Sequence, residues 1–303
     1  MIVRDLPEKD LARLLGGAGL RLRTGPVVSC IVSPLQEVAR GIGLLYADQA
    51  VEPAEGFADF HVRIARPSGV RRWVKPQVQF QFDGTPPFRP LPGDQGFPIL
   101  EWGLNWCVST NCHQYLIVHA AVLERSGRAL VLPGPPGSGK STLCAGLVHR
   151  GWRLLSDELA LVEPASGQIV PLPRPVSLKN ASIEVIRSFA PGAVMGPTVH
   201  DTLKGSVAHM KPPAESVRRA LEPAAPRWVV MPRWQADAPA DLVPLSRGRA
   251  FMQLVDSAFN YHLHGPQGFE LLARTVEACA CFELVYGDLE QAATVFAELA
   301  GKA

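Results

Sequence analysis

Nine consecutive residues constrain this chain more than any other feature. Gly134-Pro135-Pro136-Gly137-Ser138-Gly139-Lys140-Ser141-Thr142 satisfies G-x-x-x-x-G-K-[ST] in full. A chance match in 300 residues is on the order of one in a hundred. The context narrows it further. An apolar run at 129–132 stops at the loop, and 141–149 places Leu143, Cys144, Leu147 and Val148 on one helical face. Strand, glycine-rich loop and helix are the order that a phosphate cradle requires. Backbone N–H groups of Gly137 through Ser141 are the donors, and the glycines let the chain curl around a phosphate without Cβ clashes. The two prolines lack N–H groups but fall on the outer arch of the loop. Gly134, Gly137, Ser138, Gly139, Lys140, Ser141 and Thr142 are therefore the candidate nucleotide-binding residues. Lys140 is expected at the β- and γ-phosphates and Ser141 on Mg²⁺.

Such a loop says only nucleoside triphosphate; its neighbours say more. His119 lies in LIVHAAVLE, on the strand pattern before the loop, and Asp157-Glu158 lie in RLLSDELALV, only 17 positions past Lys140. One short helix and one strand fill that gap, so the two carboxylates return directly to the phosphate end. A histidine and two acids framing one loop at short range suit phosphoryl transfer. That reaction needs positioned charge around the γ-phosphate and an acceptor for the hydroxyl proton.

The stretch VHAAVLERSGRALVLPGPPGSGKSTLCAGLVHRGWRLLSDELALVE (118–163) resembles the catalytic core of the HPr kinase/phosphorylase superfamily. In that superfamily a V-H-G strand precedes the loop and an L-V-A-D-D strand follows its helix. The chain is more similar to the HPr kinase-related bacterial kinases, through PLPRPVSLK (171–179), HMKPP (209–213), VVMPR (229–233) and FNYH (259–262). The likeness to the kinase core covers about 110–215 and the broader one about 95–300. It implies a P-loop core like that of phosphoenolpyruvate carboxykinase, ATP with Mg²⁺ as cofactors, and transfer to a hydroxyl. It also implies a homo-oligomer. Carried over by position, Asp157 matches the base that acts on the acceptor serine, and His119 matches the histidine beside it. Glu158 stands where the family has a second, metal-shell aspartate.

The chain departs from the true HPr kinases where PLPRPVSLK replaces a glycine-rich acidic signature. A protein or peptide acceptor other than HPr itself is the resulting expectation. Arg174 and Lys179, in that replacement, are candidates for phosphate or acceptor contacts. His209 and Lys211 sit in a proline-tethered segment of the kind that closes over a triphosphate. Two other readings stay open: a regulatory or assembly ATPase in which Asp157 orients water, and a small-molecule kinase. There is no N-K-x-D motif of a GTPase and no L-S-G-G-Q of a transporter ATPase.

Composition fits a folded α/β (α+β) protein. Lys+Arg 30 against Asp+Glu 28 leaves no cationic excess for a nucleic-acid partner. No apolar run approaches the roughly 20 residues of a membrane span, and MIVRDLPEKDLARLL has no signal-peptide core. The six cysteines, at positions that do not form C-x2-C pairs, read as reduced thiols and the chain as cytoplasmic. Alternating, β-branched segments between Gly25 and Leu91 mark residues 1–94 as a β-rich unit of unknown role, after a helix at 8–15. Pro90-Leu91-Pro92-Gly93-Asp94 reads as a linker, and 95–303 as the P-loop kinase domain. Within it, helices are expected at 97–112, 215–221, 248–262 and 266–278. A last helix opens at Asp288, with Gln291 as its capping partner.

Overall fold

The computed structural model describes residues 1–69 and 74–301. The chain opens with α1 (Glu8–Gly16), closed by Gly17, then the hairpin of β1 (Leu20–Thr24) and β2 (Val27–Val32). Helix α2 (Gln36–Leu45) follows, and then β3 (Phe60–Ala65), β4 (Gln77–Phe82) and β5 (Leu91–Pro92). These strands form one sheet in the order β1-β2-β3-β4-β5, with β2 and β3 parallel and the other pairs antiparallel. Helix α2 (Gln36–Leu45) is an element that the reading of a β-rich stretch between Gly25 and Leu91 did not contain. Parallel neighbours need a crossover, and α2 supplies it. Val38, Ile42 and Leu45 recur at helical spacing and are all buried.

The segment read as a linker is tied down. Its β5 pairs with β4, and α3 (Gly96–Asn111) packs into the N-terminal core through Ile99, Leu100, Leu104, Cys107 and Val108. Contact is close: a Cβ on Gly103 would meet the Phe80 ring at 2.1 Å. Ile117, Leu159, Leu161 and Leu172 join the same cluster, so this core runs through position 94 into the rest of the chain.

The second sheet begins with the hairpin of β6 (Leu116–Arg125) and β7 (Arg128–Pro133). The loop and α4 (Lys140–Val148) come next, then β8 (Arg153–Ser156), β9 (Leu159–Val162) and β10 (Ile169–Val170). A small three-stranded sheet follows, of β11 (Val176–Lys179), β12 (Val199–Thr202) and β13 (Gly205–Met210), with α5 (Ala181–Phe189) between its first two strands. The chain then returns through α6 (Ala214–Arg218), β14 (Ala225–Trp234) and β15 (Asp241–Pro244). It closes with α7 (Arg247–Asp256), α8 (Tyr261–Ala278), β16 (Ala280–Tyr286) and α9 (Leu289–Gly301).

The large sheet has the order β10-β9-β6-β7-β14-β16-β15, with β8 paired to β6. Strand β7 is antiparallel to β6 and parallel to β14, which is parallel to β16. The two larger sheets are mixed, the three-stranded one is antiparallel, and the class is α+β. Along β7, Leu130 and Leu132 face one core with α4 and α9, while Ala129 and Val131 face the other with α7 and α8. Burial on both faces is why β6 and β7 read as unbroken apolar runs rather than alternating ones.

Two local readings change. The helix expected over 248–262 ends at Asp256, because 257–260 pairs along β6 where β7 has departed. His119 N–H donates to Ser257 O at 2.7 Å and Phe259 N–H to Ile117 O at 2.9 Å. The Asn260 amide continues the pairing, accepting from Ile117 N and donating to Tyr115 O. At the last helix Asp288 caps the Gln291 N–H at 2.8 Å, but the Gln291 side chain accepts from Ala240 N instead of completing a box. All six cysteines are buried and free. No described helix is long and apolar enough to cross a membrane.

Candidate functional site

Strand pairing, not sequence distance, assembles the site. Strands β8 and β9 lie end to end along one edge of β6, and the break between them is Asp157-Glu158, opposite Ala120-Ala121. On the other edge of β6, Ala120 pairs with Pro133, the last residue before the loop. The acids are thus about two strand spacings from the start of the loop. Both β7 and β8 are antiparallel to β6, so they run in the same direction with α4 as the crossover.

Within the loop, Gly134, Gly137 and Gly139 all have positive φ, at 146°, 86° and 94°. A Cβ on Gly139 would lie 2.3 Å from the Tyr286 hydroxyl, whose O–H donates to Gly139 O at 3.1 Å. Ser138 O accepts from Trp234 N, so β14 and β16 brace the loop from outside. The first bond inside α4 is Leu143 N–H to Gly139 O. Lys140, Ser141 and Thr142 stand in the first turn, where N–H groups have no carbonyl within the helix to reach. The Lys140 side chain is 7% exposed and its ammonium donates to Gly134 O at 2.5 Å and Pro135 O at 2.9 Å. Burial lowers its pKa, against the pull of Asp157.

Asp157 is 6% exposed. Its Oδ2 accepts the Ser177 N–H at 2.9 Å and the Ser141 hydroxyl at 3.3 Å. Burial, and then the neighbouring Glu158 charge, push its pKa up to about 7. Glu158 behaves oppositely. Burial opposes its charge, but Lys179, Lys204 and Arg174 outweigh that and hold it below the usual carboxylate range. Its Oε2 accepts from Asn105 Nδ2 at 2.5 Å, and Lys179 Nζ stands 3.8 Å from Oε1. Two adjacent carboxyls are driven apart by environment, one poised near neutrality and one held ionised.

His119 is half-buried and stacks on Phe259 with ring centroids 5.7 Å apart. Burial and then Lys140 lower its pKa, so the ring is neutral at pH 7. It joins the acids to an open cleft of about 830 Å³ lined by loop residues 133–138, Trp234 and Phe259. That volume and its apolar walls suit a nucleotide-sized ligand.

The structure brings together His119, Lys140, Ser141, Asp157, Glu158 and Lys179. It does not bring the other three candidates to the loop. Arg174 is buried, with its guanidinium spent on Glu101 Oε2 at 2.8 Å, Glu101 O, the Tyr46 hydroxyl and Asn105 Oδ1. That corrects its reading as a phosphate or acceptor contact, because a guanidinium so engaged has no face left for an anion. Its bond to Asn105 Oδ1 leaves the amide nitrogen facing Glu158, so it acts on the site at one remove. His209 lies buried on β13 opposite Ser177 of β11, edge-on to Phe97. Lys211 pairs with Asp48 at 2.7 Å. Neither lines the cleft, so the segment is part of the packed wall rather than a cover over the triphosphate. Sequence reasoning missed Asn105, Ser177 and Lys204. Only Lys204 carried a signal, a cation beside the Gly205 turn, and its ammonium lies 4.9 Å from the Trp102 ring.

For Mg²⁺, the donor set is Ser141 Oγ with Asp157 Oδ2, two hard oxygens already in contact at the start of α4. No group of three or more His, Cys, Asp or Glu among the described residues could hold a metal alone. One or two protein oxygens plus substrate phosphates are what Mg²⁺ normally uses, so these residues fit it.

No protein-family model matches the chain, and no curated protein matches it.

Proposed function

We propose that this chain is an ATP- and Mg²⁺-dependent kinase of the HPr kinase-related type. It transfers the γ-phosphoryl group to a Ser-type hydroxyl of a protein or peptide other than HPr. The observation that carries the reading is the 3.3 Å contact between Ser141 of the loop and Asp157, with Glu158 and His119 beside it. A loop that only binds Mg-nucleotide needs one such acid; the second acid and the histidine are what phosphoryl transfer adds.

The roles follow from hydrogen bonding and placement. Asp157 accepts from the loop residue Ser141 and from the Ser177 N–H, which assigns it to the metal side. Ser141 and Asp157 would hold Mg²⁺, which when bound supplies charge stabilisation at the phosphate oxygens. Lys140 and the first-turn N–H groups bind the phosphates. His119 faces the cleft as a neutral imidazole, and the ionised Glu158 stabilises it when it takes the hydroxyl proton. This moves the base from Asp157, expected from the resemblance, to the His119–Glu158 pair. The acceptor oxygen bonds to the γ-phosphorus, the bond to the β-phosphate oxygen breaks, and ADP leaves.

The test supplies ATP labelled in its γ-phosphate, with Mg²⁺, to the full chain and a set of serine-containing peptides and lysate proteins. Alkali-labile, acid-stable label on protein, lost in Glu158→Gln, is the expected result. Label recovered only as inorganic phosphate, at a rate the acceptors do not change, would replace the kinase by an ATPase. Absence of ATP binding would remove the nucleotide reading altogether.

A further inference from the structure

The two acids line a second and much smaller cavity, of about 20 Å³, which shares no lining residue with the open cleft. Its lining includes Asp157, Trp102, Ser177 and His209. Each of these four residues has a buried polar atom without a hydrogen-bond partner: Asp157 Oδ1, Trp102 Nε1, Ser177 Oγ and His209 Nε2. Buried polar atoms are almost always paired, so four such atoms around one small space are not a coincidence of packing. A cavity of this size accommodates one water molecule, which makes two to four hydrogen bonds to its walls.

The donor count fits water and nothing charged. Trp102 Nε1 can only donate, and an ionised Asp157 Oδ1 can only accept. A water accepts from the first and donates to the second. Its two remaining positions match Ser177 Oγ–H as donor and His209 Nε2 as acceptor. The charges on the wall are already paired, Arg174 with Glu101 and Glu158 with Asn105 and Lys179. A cation would meet the indole N–H and the guanidinium, and an anion would meet three carboxylates.

We propose that this cavity is the site of one structural water that ties Asp157 Oδ1 to His209 Nε2, making His209 a positioning residue for the Asp157 carboxylate. Ser177 acts twice in the arrangement, its N–H on Oδ2 and its hydroxyl on the water. With both oxygens held, the carboxylate plane is fixed and Oδ2 is kept toward Ser141. His209 itself is fixed by the edge-on Phe97 ring and by the pairing of β13 with β11. The water site stands on geometry alone; its consequence for Mg²⁺ use rests on the kinase reading.

A high-resolution crystal structure of the full chain should show an ordered water within hydrogen-bonding distance of Asp157 Oδ1 and His209 Nε2. Imidazole ¹⁵N spectra should show Nε2 as the unprotonated, accepting nitrogen, and Ser177→Ala should move that signal. In His209→Phe, which preserves ring packing, the Mg²⁺ concentration for half-maximal ATP turnover should rise roughly tenfold, as expected for a lost hydrogen bond to a charged group. Metal-free ATP affinity, read by calorimetry, should not change, and His209→Gln should restore part of the Mg²⁺ response. If His209→Phe does not fold, Ser177→Ala serves for the same comparison. A dry cavity, or a protonated Nε2 that Ser177→Ala leaves unmoved, overturns the water site. An unchanged Mg²⁺ response in the variants that fold overturns the positioning role. A wild-type protein with the water in place but no ATP turnover would count against the kinase reading instead.

Discussion

The hydroxyl of Ser141 donates to Asp157 Oδ2 at 3.3 Å, joining the first turn of α4 to the break between β8 and β9. The contact is possible because β8 returns beside β6, and β6 is the strand that also borders β7. A carboxylate carried so deep is costly when ionised. That cost gives the first prediction.

Asp157→Asn should stabilise the metal-free protein at alkaline pH while abolishing its chemistry. In the folded state the Asp157 pKa is raised from 3.8 to about 7, so folding favours the protonated form. Stability is then lost as pH rises from about 4 to about 7 and the loss is complete above. Asparagine has no proton to lose. The variant should exceed wild type by on the order of a few kcal/mol near pH 8, with the gap closing near pH 4. Chemical denaturation at the two pH values checks this; a gap independent of pH would show that Asp157 is not the buried acid. Phosphoryl transfer with Mg²⁺ should fall by about a hundredfold or more, because the amide removes the metal-side carboxylate charge.

Lys140→Ala should remove most ATP affinity, since its ammonium is the charge aimed at the phosphates. The same side chain also donates to Gly134 O and Pro135 O. Losing two hydrogen bonds should lower stability by about 1–3 kcal/mol without unfolding the chain. Titration calorimetry and thermal melting on one preparation read both effects. Wild-type ATP affinity in this variant would refute the loop assignment.

Arg174→Ala should destabilise by about 3–5 kcal/mol, because it strands the buried Glu101 carboxylate. Replacing the pair together, Arg174→Met with Glu101→Leu, should recover much of that loss. Urea unfolding of the three proteins separates this from a phosphate-binding role, in which Arg174→Ala would weaken ATP binding and leave stability alone.

Gly139→Ala should disrupt the loop for two separable reasons. Its φ of 94° is unfavourable for any side chain, and the new methyl would overlap the Tyr286 hydroxyl. Tyr286→Phe should bind ATP nearly as wild type does. Combined with Gly139→Ala it should rescue only part of the binding, since the backbone penalty of about 1–2 kcal/mol remains. Full rescue would assign the whole effect to the overlap.

The sequence alone determined what lies within one contiguous segment. The phosphate cradle is legible because its donors, its glycines and its lysine all fall in nine residues whose geometry is local. The apolar runs of β6 and β7 and the amphipathic face of α1 were legible for the same reason. Helix α2 was missed although Val38, Ile42 and Leu45 carry its period, because the strands on both sides dominate that stretch. Tertiary structure alone decided the fate of the isolated polar residues. Arg174 and Lys179 are five positions apart in one motif, yet one is sealed against Glu101 and the other reaches Glu158. Asp157 and Glu158 are adjacent at the bend between β8 and β9, yet the first bonds Ser141 and Ser177 and the second Asn105. One is therefore buried under α4 while the other faces the lysines, and their ionisation diverges. A residue's type and position fix its chemistry, but its charge state depends on which dielectric and which partners the fold places around it.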